Sequence, residues 1–195
     1  MKPNIRFLRI VIILILMAVI LAILTSARTD QNKPQINENV KVEQVVVSEE
    51  KSVKNEFSGF QKYDVPLSED LQLYIYELSE RYGVPMNIIV SIAGQESSYN
   101  PSKMGDDGES YGLMQVQLKW HRERMEKFNV HEKDLMNPYA NALIAVDYLA
   151  ELLKKGDLEW ALMAYNGGPD HANNMTAQGV ITEYAESVIY LADNL

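Results

Sequence analysis

The 195-residue sequence contains no cysteine. That removes disulfides, a thiol nucleophile, thiolate metal sites and a lipid-modified N-terminal cysteine, so the fold has to hold by packing. Histidine is almost as scarce. His121, His131 and His171 do not stand at metal-ligand spacing and no H-E-x-x-H run occurs, so they read as surface residues, and no metal or cofactor is expected. Basic residues are outnumbered, 18 Lys and Arg against 27 Asp and Glu, for a net charge of −9. The imbalance is local: 9 basic and 7 acidic residues before Pro66 (net +2), then 9 and 20 from Pro66 on (net −11). A domain that acidic excludes nucleic acid and an anionic membrane surface as partners, so a bound polymer must be gripped by stacking and hydrogen bonds. The chain also lacks internal repeats, low-complexity tracts and any alternating pattern long enough for a sheet. No phosphate-cradling loop is present, because Gly167-Gly168-Pro169 follows a helix instead of preceding one.

The long apolar run is at the N-terminus. Lys2, Arg6 and Arg9 precede or flank the 15 uncharged residues Ile10 to Leu24, and the wider stretch Phe7 to Ala27, which includes Arg9, has 21 residues. A spanning helix needs about 20. Thr25 and Ala27 are small residues of the kind found at a cleavage site, so a cleaved signal peptide is the alternative to the preferred uncleaved anchor. The basic residues ahead of the run keep the N-terminus in the cytoplasm and export the rest of the chain. The expected organisation is therefore a transmembrane anchor or signal segment over 1–27, a polar linker over 28–65 and a catalytic-sized domain over 66–195. The expected location is the cell membrane, single-pass, with the C-terminal domain outside the cytoplasm, or full export if the segment is cleaved.

From Pro66 the signals are helical. Ser68 is an N-cap, Leu71, Ile75, Leu78 and Tyr82 form a stripe, and Gly83 stops the first helix. Pro85 opens a second, and a third includes Trp120 to Phe128. Asn137-Pro138 is a cap followed by a first-turn proline, leading into a helix with Leu143, Val146, Leu149 and Leu153 inward and Gly156 as its stop. Asp157 caps the next, through Trp160 and Leu162 to Tyr165, and a last helix covers about Thr182 to Ala192. The domain is expected to be mainly α.

Chemistry concentrates between Ile88 and Gln115. Ile89, Ala93 and Glu96 are spaced i, i+4, i+7, and Ile92 lies four residues before Glu96. Glu96 therefore falls on the core-facing stripe of the second helix. Burial of the carboxylate raises its pKa and keeps it protonated near neutral pH, which is the state a general acid at a glycosidic oxygen requires. A buried glutamate satisfied by a neighbouring group is the competing reading from the helix alone.

Three motifs bear on that choice: Glu96-Ser97-Ser98-Tyr99-Asn100-Pro101, Gly112-Leu113-Met114-Gln115, and Ala164-Tyr165-Asn166-Gly167-Gly168-Pro169. Together, and in this order, they resemble the signature of the soluble-lytic-transglycosylase domain. The resemblance extends to Asn141 through Leu149 and to Thr182, Tyr184, Val188 and Tyr190. It implies a lysozyme-like α fold of the goose-type-lysozyme and lytic-transglycosylase kind, acting on peptidoglycan glycan strands. It further implies that Glu96 is the single catalytic acid/base, that Met114 and Gln115 line the cleft, that Tyr165 and Asn166 close on the sugar, and that Tyr184 is a wall aromatic. The implied reaction cleaves the bond between N-acetylmuramic acid and N-acetylglucosamine and leaves a 1,6-anhydro end.

The chain departs from the family pattern at several points. Gly105 stands where a small hydroxyl residue is usual, the loop before Gly112 is one residue longer, Gln117-Leu118 replaces a methionine-proline, and Ala145 replaces a glycine. Asp106, Asp107 and Glu109 are available second carboxylates for a two-acid mechanism, with plain solvation as the simpler reading. A hydrolytic muramidase and a non-catalytic peptidoglycan-binding module are the alternatives. A tethered wall-cutting domain would suit a conjugation, secretion or phage apparatus, or growth, and no residue selects among these.

Overall fold

The computed structural model describes residues 59–195. The expected anchor or signal segment over 1–27, and the linker up to residue 58, lie outside the described residues. No helix among the described residues is long and apolar enough to cross a membrane.

Helix α1, Glu69–Tyr82, starts where Ser68 Oγ accepts from the Leu71 N–H and stops where Gly83 turns left-handed at φ 67°. Its fully buried Gln72 binds the segment that precedes it. Gln72 Oε1 accepts from Tyr63 N at 2.9 Å, and its Nε2 donates to the carbonyls of Tyr63 and Leu67. Phe60, Tyr63 and Val65 pack against the core for this reason, so the boundary expected at Pro66 falls inside folded structure.

Helix α2, Met86–Ser97, is buried nearly all round, from Ile88 through Ala93. Helices of that kind occupy a core rather than a surface. It packs on α1 and on α7, Glu183–Asp193, whose N-cap is Thr182. After α2 the chain forms a sheet of three two-residue strands, β1 Met104–Gly105, β2 Ser110–Tyr111 and β3 Val116–Gln117, antiparallel in that order. Strands this short leave no alternation to read, so the sequence carries no sign of the sheet. Helix α3, Leu118–Phe128, continues directly from β3 and ends at Asn129 in the left-handed region.

Helix α4, Pro138–Leu152, opens on Asn137, whose Oδ1 accepts from Tyr139 N at 2.9 Å. It touches α1, α3, β3 and α5, so burial spreads beyond one stripe: Ile144, Val146, Leu149 and Leu152 are sealed, while the expected Leu143 and Leu153 are only half-buried. Helix α5, Leu158–Gly167, is capped by Asp157. Helix α6, Pro169–Ala177, has no counterpart in the expected elements: Gly168, at φ 86°, ends α5 and places Pro169 in the first turn of the next helix. The turn before Pro169 thus precedes a helix as well as following one.

Two polar constructions hold these elements. Asn141 is fully buried in α4; its Oδ1 accepts from Met114 N at 2.7 Å, and its Nδ2 donates to Tyr111 O at 2.7 Å and Leu135 O at 2.8 Å. The second joins α3 to α4: Arg124 Nε meets Asp147 at 2.7 Å, its Nη2 meets Glu151, and Lys127 meets Asp147 at 2.7 Å. His121 belongs to this construction and is buried, not on the surface as expected. Arg124 Nη1 lies 3.1 Å from His121 Nδ1, and the Tyr148 ring packs edge-on at 4.9 Å. A guanidinium can only donate, so Nδ1 accepts and the ring proton sits on Nε2. Burial, with Arg124 adding to it, lowers the His121 pKa from 6.5 to about 4.

Asn141→Leu takes the partner from the buried Met114 N–H and Leu135 carbonyl and from the part-buried Tyr111 carbonyl, a loss of about 3 kcal/mol. Thermal unfolding should show a midpoint lowered by on the order of 10 °C; an unchanged midpoint would contradict the role given to this amide. For His121, the unfolded chain takes up a proton near 6.5 and the folded chain only near 4, so stability falls as pH drops through that window. Urea titrations from pH 7 to pH 4 should show that fall reduced in His121→Gln by on the order of 3 kcal/mol. Parallel pH profiles for the two proteins would refute it.

Candidate active site

Glu96 sits in the last turn of α2, and the way that helix ends sets its surroundings. Ser98 and Tyr99 are both left-handed, at φ 53° and 64°, with their N–H groups on Gly94 O and Ala93 O. Gly94 permits the reversal, since a Cβ there would lie 2.8 Å from the Tyr99 hydroxyl oxygen. The Glu96 carboxyl is half-buried, and its Oε1 accepts a hydrogen bond from Tyr184 Oη at 2.7 Å across from α7. Lys103 Nζ donates to the Glu96 main-chain carbonyl at 2.6 Å. Burial pushes the carboxyl above the ordinary glutamate range; the Tyr184 hydrogen bond and Lys103 oppose this, Asp106 adds to it, and the balance is upward.

The turn Gly112–Gln115 forms the next part. Gly112 is left-handed at φ 72°, and a Cβ there would meet Leu135 O at 2.7 Å and Asn141 Nδ2 at 2.9 Å. Leu113 and Met114 go into the core, with Met114 only 1% exposed. The expectation that the Met114 side chain lines the cleft is therefore corrected. Its contribution is the backbone: while Asn141 holds its N–H, its carbonyl accepts from Tyr165 Oη at 2.9 Å. Gln115 does line the cleft, at φ 49°, with Nε2 donating to Gly112 O at 2.8 Å and Lys103 O at 3.2 Å. Its Oε1 occupies the space where residue 105 would carry a Cβ, which accounts for glycine at that position.

Tyr165 and Asn166, at the end of α5, line the same cleft, as does Tyr184. Burial, with the Glu96 charge next, raises the Tyr165 and Tyr184 hydroxyls well above the ordinary tyrosine range, so both remain donors. Asn166 is exposed at the rim. Tyr148 is a further wall residue, not among those expected. Its ring lies 5.8 Å from that of Tyr165 and 5.0 Å from the Arg124 guanidinium carbon. The signal was available, because Tyr148 lies within the Asn141–Leu149 stretch.

The three loop acids separate. Asp106 lines the cleft, its Oδ2 accepting from Ser110 Oγ and from Gln117 Nε2 at 2.8 Å. Asp107 is exposed, and Glu109 pairs at the surface with Lys119 at 3.7 Å. The cleft volume is about 920 Å³, near the upper end of the usual range for ligand sites. Its lining comes from the strands, α3, α5 and α7, together with Glu96. The arrangement offers a carboxyl shifted toward its protonated form, a tyrosine hydroxyl fixed on it and an open groove for an extended ligand.

Comparison with known proteins bears on the family and the fold. Residues 73–186 match the model of the Transglycosylase SLT domain. Protein IpgF of Shigella flexneri is 29% identical over 97 residues, which are 46% of this chain and 61% of that protein. Among solved structures, an inactive glutamate-to-glutamine mutant of lytic transglycosylase Slt from Pseudomonas aeruginosa superposes with a TM-score of 0.56 at 18% identity, over 76% of this chain and 28% of that one. The chain thus spans less than two thirds of the length of either relative. The match to the family model covers more than half of the chain and contains Glu96, the Gly112–Gln115 turn, Tyr165 and Tyr184, and on that ground the chain belongs to the transglycosylase SLT domain family.

Proposed function

We propose that this domain is a peptidoglycan lytic transglycosylase with Glu96 as its single acid/base. The observation that carries the reading is the Glu96 carboxyl itself: half-buried in the cleft, shifted toward the protonated form, and oriented by Tyr184 Oη at 2.7 Å. Family membership and the lytic-transglycosylase fold support it.

In this mechanism Glu96 gives its proton to the oxygen linking N-acetylmuramic acid to N-acetylglucosamine, and the C1–O bond breaks. The carboxylate so formed then accepts the proton of the muramyl C6 hydroxyl as that oxygen bonds to C1. The proton balance closes on one residue, no water is consumed, and a 1,6-anhydro ring results. The N-acetyl group of the substrate stabilises the cationic centre. Tyr184 donates to the carboxylate in the second step, Tyr165 and Asn166 hold the sugar at the cleavage point, and Gln115 meets a neighbouring polar group.

A hydrolytic muramidase is the second reading, and Asp106 is the observation that favours it. A second carboxylate in the same cleft, held by Ser110 and Gln117, could take the base role of a two-carboxylate mechanism. The proposal also sets the domain outside the cytoplasmic membrane, tethered through the segment Phe7–Ala27 with its uncharged run Ile10–Leu24, where local opening of the wall is its work.

Purified peptidoglycan incubated with the chain should yield soluble anhydro-muropeptides by mass spectrometry. Glu96→Gln should lower their formation by roughly 10²–10⁴-fold. Reducing-end products lost in the same variant would convert the assignment to the hydrolytic one. Intact strands after long incubation with folded protein would contradict both.

A further inference from the structure

Trp120 is 73% exposed, more than any other large apolar side chain exposed among the described residues, yet it lines the cleft that contains Glu96. It stands in the first turn of α3, and its indole is not loose. Nε1 donates to Gln117 Oε1 at 3.0 Å. Gln117 Nε2 in turn donates to Asp106 Oδ2 at 2.8 Å and Ser110 Oγ at 2.9 Å, and Ser110 Oγ donates to the same Asp106 oxygen. An indole N–H can only donate, so it sets the Gln117 oxygen toward itself and the amide nitrogen toward Asp106. The chain of bonds fixes the edge of the ring, Lys119 Nζ stands 5.7 Å from the ring centroid on one face, and the exposed indole lines the groove.

We propose that Trp120 is a stacking platform for a single N-acetylhexosamine ring, and that Trp120, Gln117 and Asp106 form one carbohydrate subsite beside the cleavage point. The inference rests on the glycan-cleaving reading above and specifies where that cleft grips its polymer. Three physical features point to a sugar. A β-1,4-linked N-acetylhexosamine has equatorial substituents, so its ring faces present C–H groups, which suit the electron-rich face of an indole. The domain carries a net charge of −11, so an uncharged contact is the available way to hold a polymer that itself bears carboxylates. The indole is also pre-oriented, which reduces the ordering cost of binding. Asp106 Oδ2 is taken by Ser110 and Gln117, and in the proposed subsite its other oxygen accepts from a hydroxyl or acetamido N–H of the stacked unit.

The test uses the full chain carrying Glu96→Gln, so that the ligand is not consumed, with N-acetylglucosamine tetramer and hexamer as probes. Calorimetric titration should show the hexamer bound about tenfold more weakly or worse after Trp120→Ala, roughly 1.4 kcal/mol. Trp120→Tyr, which keeps an aromatic face, should recover most of that loss. Trp160 is the other tryptophan of the chain. A ligand-induced blue shift of emission should therefore survive Trp160→Phe and vanish with Trp120→Phe. Equal hexamer affinity in the parent and in Trp120→Ala would overturn the platform while leaving the glycan cleft standing. A folded parent that binds neither oligomer would overturn both. The Trp120 variants should keep the parent's thermal midpoint, since the ring contributes little to the core.

Discussion

The buried amide of Asn141 satisfies one N–H and two carbonyls from three different segments, and the cleft is referenced to it. Met114 N and Leu135 O are buried and Tyr111 O is partly so, and the one side chain of α4 reaches all three. The contact requires glycine at 112, where backbone from residue 135 approaches too closely for a side chain. It fixes the Met114 carbonyl, and that carbonyl seats the Tyr165 hydroxyl. A polar group that does not itself line the cleft thus determines where a cleft aromatic stands.

At Glu96 two tendencies oppose each other. Burial in the last turn of α2 favours the neutral acid, while Tyr184 and Lys103 favour the carboxylate. A group that must first give a proton and then take one back needs both forms within reach. Burial alone would hold the proton too firmly, and the hydrogen bond alone would release it too early. The tyrosines keep their own protons because the same burial raises them further, so they donate in either state of the glutamate. To the same groove the strands and α3 contribute hydrogen-bonded polar groups and an indole, which suits an acidic domain that cannot rely on charge.

The features legible in the sequence are local ones. Ser68, Asn137, Asp157 and Thr182 cap the helices they announce, because a cap is decided by one side chain and the next three residues. The placement of Glu96 on a buried face comes from helical spacing in the same way. The features that escape depend on distant contacts. His121 reads as a surface residue because nothing near it in sequence indicates that Arg124 and Tyr148 enclose it. Met114 turns inward because its backbone, not its side chain, is held toward the cleft. The two-residue strands are too short to leave a period, and α6 is hidden because Gly168-Pro169 carries the marks of a stop and of a start together. Trp120 comes to the cleft from a helix whose sequence carries no motif, whereas Tyr148 lies within the Asn141–Leu149 stretch and is open to being read there.

The central claim is that the Glu96 carboxyl retains its proton above the range of an ordinary glutamate. Nuclear magnetic resonance titration of that side-chain carboxyl carbon, assigned by difference with Glu96→Gln, measures it directly. The account predicts a midpoint above the ordinary glutamate value in the folded chain, returning to that value when the chain is unfolded in urea. A folded midpoint at or below the ordinary value would mean that Tyr184 and Lys103 outweigh burial, and Glu96 could not serve as the acid described here.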